Sequence, residues 1–109
     1  MTKKEFLEDL REQLKETYHT AKWYRGAYCT HLFELETAKR RAIWDAMSIV
    51  EKANDKDIAE KEIINISYKS NVFEHYASIG LVALAELFAI REKTLRHIGI
   101  DLINKITEF

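Results

Sequence analysis

Apolar residues recur at alternating steps of three and four along both halves of the chain. In the first half the stripe runs Leu7, Leu10, Leu14, Thr17, Ala21, Tyr24, Tyr28, His31, Leu35, Ala38 and Ala42. In the second it runs Ala59, Ile63, Ile66, Ser70, Phe73, Ala77, Gly80, Leu84, Leu87, Arg91, Leu95, Ile98 and Leu102. The steps average about 3.5 residues, the period of helices packed in a bundle. Apolar flanks widen each stripe (Trp23, Leu32, Ile43, Trp44 and Met47; Ile64, Val72, Leu81 and Phe88). A face that wide needs more than one neighbour.

The punctuation agrees with helices. There is no proline, and the only glycines are Gly26, Gly80 and Gly99. A β protein of this size needs turn residues roughly every 8–12 positions. Thr2 followed by Glu5 is a capping box leading into Phe6 and Leu7. The clearest polar break is Lys52-Ala53-Asn54-Asp55-Lys56-Asp57, near the midpoint, where Asn54, Asp55 and Asp57 are turn and N-cap types. The pattern predicts an all-α single helical domain over residues 1–109, folded back on itself near residues 54–56.

Two architectures fit. One is an antiparallel hairpin of two long helices (3–53 and 57–107), each about 75 Å long, which dimerises into a four-helix bundle to cover its faces. In the other, the helices break at Gly26 and Gly80 and a four-helix bundle forms within one chain. A glycine inside a helix costs about 1 kcal/mol against alanine, so each marks a joint or a kink. Folding near residue 54 brings Gly26 level with Gly80. It also sets Glu8, Glu12 and Glu16 against Arg91, Lys93 and Arg96, where opposite charges favour the antiparallel register.

Composition narrows the class further. At 109 residues, 47% hydrophobic and 32% charged, the chain has enough apolar content for one core. A formal net charge of −1 gives no global field to draw nucleic acid or an anionic membrane. The single Cys29 fits a reducing compartment, and its neighbours suggest a small hydrophobe on a helix. The most apolar run, Ile79 to Ile90, is interrupted by Glu86 and is too short to span a bilayer. No signal-like stretch follows Met1. The expectation is a cytoplasmic protein with no membrane partner and no cofactor.

Three polar sets carry candidate chemistry. His31 and Glu34 share a helix face, and the hairpin sets Glu74 and His75 at the same level of the opposite arm. Histidines and carboxylates on facing helices are how bundles hold metal ions. Here the order His31-x-x-Glu34 reverses the usual Glu-x-x-His, which leaves a polar layer that fixes register as the plainer reading. Second, Arg91 followed by His97 is similar to the motif of the HEPN ribonuclease superfamily. That resemblance covers two residues, and Glu92 stands where the family has asparagine or aspartate. It implies a small helical enzyme whose arginine stabilises phosphate while the histidine does acid–base work across a dimer. Third, Lys22, Arg25, Lys39, Arg40 and Arg41 form a basic patch beside aromatic rings, as nucleic-acid-binding grooves do.

The aromatics exceed what one helical seam can hold, and Trp23, Tyr24, Tyr28, Trp44 and Tyr76 are candidate interaction anchors. The leading expectation is a non-enzymatic interaction protein, a homodimer or higher oligomer that binds another macromolecule. In size and class it is comparable to small regulators and inhibitors of phage and mobile-element type. A small helical enzyme (HEPN-like or metal-binding) and a nucleic-acid-binding regulator are the alternatives.

Overall fold

Thr2 and Glu5 form the expected capping box. The Glu5 N–H donates to Thr2 Oγ1 and the Thr2 N–H donates to Glu5 Oε1, each at 3.2 Å. These bonds satisfy donors that a helix start leaves free. Helix α1 then runs Lys3–Gly26. The computed structural model describes residues 1–69, 78 and 80–109, with Lys69 described by its backbone alone. Within them three further helices follow: α2 (Thr30–Lys52), α3 (Lys56–Lys69) and α4 (Val82–Lys105). Among the described residues no strand occurs, and one isolated parallel bridge joins Thr2 to Glu108. The fold is all-α, a bundle of helices.

Each joint has a local cause. After α1 the Cys29 N–H donates to the Tyr24 carbonyl at 2.9 Å, and the Tyr28 N–H donates to Arg25 at 3.2 Å. This is the paired bonding of a Schellman ending. The residue that must turn left-handed in it is Tyr28, at φ 59°. Gly26 is the last helical residue, two before this position, so the site that favours glycine carries tyrosine. Cys29 lies in this joint, not inside a helix, and is half-buried. At the second joint Asp55 Oδ1 accepts from the Asp57 and Ile58 N–H groups at 2.7 and 3.2 Å, capping α3 where the sequence placed the fold-back. At the third, Gly80 takes φ 85° just before α4. Gly99 serves a different purpose. A Cβ there would lie 3.3 Å from Ile64 Cδ1, so its lack of a side chain lets α4 approach α3 closely.

Among the described residues these joints divide the two expected arms into four helices, which pack together within one chain. Its principal extents of 43 × 32 × 19 Å fall well short of an unbroken hairpin. α1 packs on α2, α2 on α4, and α4 on α3. Both α2 and α4 end beside the chain termini: Lys3 Nζ reaches the Ala53 carbonyl (2.8 Å), and Lys56 Nζ reaches that of Ile106 (3.1 Å). The two central helices therefore run in the same direction. This overturns the expected meeting of Glu8, Glu12 and Glu16 with Arg91, Lys93 and Arg96. The turn at Tyr28 lays α1 on α2, so Arg11 pairs with Glu51 of α2 and Arg96 with Glu92 of its own helix.

The core is concentrated at the end that holds the termini. Phe6 and Leu10 of α1, Ile43, Ala46 and Val50 of α2, Ile63 of α3 and Leu95 and Leu102 of α4 are buried together there. Every buried residue of α2 lies between Ala42 and Val50, and none lies in its first three turns. In α4 only Ala85 is buried before Leu95. Among the described residues one end is closed and the other is open.

Candidate functional site

The open end carries two features: a groove between α2 and α4, and an aromatic tip at the α1–α2 joint. The groove has a volume of about 910 Å³. Phe33, Thr37, Ala38 and Trp44 line it from α2, and Leu84, Leu87 and Phe88 from α4. Glu34, Arg40, Arg41, Asp45 and Arg91 supply its polar part. The groove follows from the helix spacing. Phe33, Thr37, Ala38, Arg41 and Trp44 recur at three and four on α2 and so share a face. No helix among the described residues lies deep enough over that face to bury it.

Polar contacts join α2 to α4 beside the groove. Arg91 Nη2 meets Asp45 Oδ2 at 2.8 Å with the arginine only a quarter exposed, and His31 Nε2 meets Glu86 Oε2 at 2.5 Å. Arg40 stacks its guanidinium over the Tyr18 ring of α1, 4.9 Å from the centroid. Arg41 and Glu34 make no ion pair among the described residues and are exposed.

At the tip, Trp23 is 67% exposed and Tyr28 is 92% exposed. Tyr24 is half-buried and meets Trp23 edge to face at 5.5 Å. Of the expected anchors, Trp23, Tyr28 and Trp44 are on the surface. Tyr76 lies outside the described residues. The basic set divides: Lys22 and Arg25 are exposed on the last turns of α1, Lys39 is half-buried, and Arg40 and Arg41 line the groove.

Of the other candidate sets, the described residues place only parts. His31 takes Glu86 as its partner, a residue the sequence flagged only as a charge interrupting an apolar run. Glu34 faces the groove, while Glu74 and His75 lie outside the described residues. Among the described residues no group of three or more His, Cys, Asp or Glu side chains is placed to hold a metal ion. Arg91 opens into the groove, whereas His97 lines a separate depression with Glu92, Lys93 and Arg96. Six residues along a helix turn them to different faces.

The left-handed Tyr28 and the groove itself were not readable from periodicity. The stripe places Tyr28 inward, and only the Schellman bonding turns it out. No described helix is long and apolar enough to cross a membrane. Comparison with protein families, with curated proteins and with solved structures finds no match for this chain.

Proposed function

We propose that the chain is a non-enzymatic interaction protein that binds another protein through the aromatic tip at the α1–α2 joint. The observation that carries this reading is Tyr28. Its ring is 92% exposed and its backbone sits at φ 59°, where glycine would be at ease. A non-glycine residue there costs about 1–2 kcal/mol, and an exposed ring returns little of that through burial. Trp23, also exposed, supplies a second anchor of the kind that dominates protein interfaces. Both sit on a joint whose carbonyls are satisfied by backbone N–H groups, so the rings are presented on an ordered support.

The test is affinity capture from the native cell with wild-type bait beside Tyr28→Gly and Trp23→Ser. A protein retained by wild type and lost by both variants supports the reading. Identical capture profiles for all three baits overturn it.

A further inference from the structure

We propose that the groove between α2 and α4 is filled by α2 of a second copy of this chain, antiparallel to its own counterpart about a two-fold axis. The axis passes between Thr37 and Ala38. This goes beyond the tip reading and uses a different surface.

The burial pattern sets the need. The first three turns of α2 bury nothing, although Phe33, Leu84 and Leu87 line an open groove there and Trp44 is 62% exposed. A second α2–α4 pair laid across the groove would cover these side chains, setting four helices together.

The order of side chains on α2 selects the occupant and its direction. The two residues nearest the axis, Thr37 and Ala38, are small and allow the helices to approach closely. Three residues before Thr37 stands Glu34, and three residues after Ala38 stands Arg41. Both line the groove, both are exposed, and neither has an ion partner among the described residues. A two-fold axis sets Glu34 of each copy opposite Arg41 of the other, so the contact is charge-complementary twice over. A parallel arrangement would instead oppose like with like. The axis also brings Phe33 of one copy to within about 3 Å, along the helix, of Trp44 of the other. An aromatic contact then closes each end of the groove. The α2 face is thus complementary to its own reverse, which is what an isologous contact requires.

Sedimentation equilibrium of the full chain, with its charge variants, tests this. Wild type is expected to be a concentration-dependent dimer. Glu34→Arg and Arg41→Glu each oppose like charges at both contacts and are expected to weaken the dimer about tenfold or more. Both positions are exposed, and circular dichroism checks that each variant keeps its helices. An equimolar mixture of the two single variants again opposes arginine with glutamate at every contact, and so does the double variant Glu34→Arg/Arg41→Glu. Both are expected to recover wild-type association to within about threefold. Failure of the mixture and the double variant to recover overturns the proposal. So does a wild-type chain that stays monomeric, which leaves the groove to a different protein. Self-association is the only readout, so these failures leave the tip reading standing. Unchanged capture profiles from a chain that does dimerise would sink the tip reading alone.

Discussion

Replacing Tyr28 with glycine and, separately, with alanine distinguishes the two things this residue does. Alanine removes the ring but keeps the Cβ that clashes at φ 59°; glycine removes both. The ring is 92% exposed, so its loss forfeits almost no buried area. Relief of the left-handed conformation is worth about 1–2 kcal/mol, and the greater freedom of glycine in the unfolded chain takes back about 0.4–1 kcal/mol. The glycine variant is therefore expected to be more stable than the alanine variant by about 0.5–1 kcal/mol, and alanine to lie within about 0.5 kcal/mol of wild type. For 109 residues the unfolding entropy near Tm is about 0.23 kcal/mol per kelvin, so the difference is about 2–4 °C. Thermal unfolding followed by circular dichroism at one protein concentration reads it directly. A glycine variant that melts below the alanine variant refutes the reasoning, because the tyrosine backbone would then carry no strain for glycine to release.

Three other outcomes follow from the packing. Leu95→Ala, at a fully buried position, is expected to cost about 3 kcal/mol or about 13 °C, whereas Leu84→Ala, 37% exposed, is expected to cost under about 1 kcal/mol. Urea titration below the concentration of self-association measures both, and equal losses would deny that the open end is underpacked. Lys3 Nζ donates to the Glu51 and Ala53 carbonyls at the end of α2 and sits 4.7 Å from the Phe109 ring centroid. Lys3→Met is expected to lower the urea midpoint by the equivalent of about 1–2 kcal/mol; an unchanged midpoint would mean water serves those carbonyls equally well. The Thr2 N–H and hydroxyl hold the Glu5 carboxyl below the usual glutamate range. A lowered folded value means the stabilisation is complete above the ordinary glutamate value of about 4.3 and is lost as pH falls through the folded one. Glu5→Gln should therefore melt below wild type at about pH 7, with the gap closing as pH falls through the lowered folded value. A gap that persists in acid would show that the carboxylate charge has no part in the cap.

The helical class and the fold-back were legible because they rest on local chemistry. Thr2 and Glu5 need only each other, and Asp55 needs only the next three residues. The partner of each helix was not legible, because periodicity gives the width of a face and not which element covers it. Arg91, placed against the acidic residues of α1 by the hairpin register, binds Asp45 of α2. A single left-handed tyrosine had redirected α1. Tyr28 fits the inward stripe by spacing, and nothing local marks it as a turn residue, since Gly26 beside it offers the stronger signal. Trp23 and Trp44 were readable as surplus aromatics. The groove between α2 and α4 was not, because it depends on two helices running in the same direction from separate halves of the chain.

We propose that this bundle, packed at one end, is completed at the other by a second copy. Amide hydrogen exchange along α2, measured across a range of protein concentration, tests it most directly. Amides of residues 42–50 should be strongly protected at every concentration. Those of 33–41 should exchange faster in dilute protein and gain protection as the chain dimerises. Equal protection along the whole helix, independent of concentration, would contradict the account.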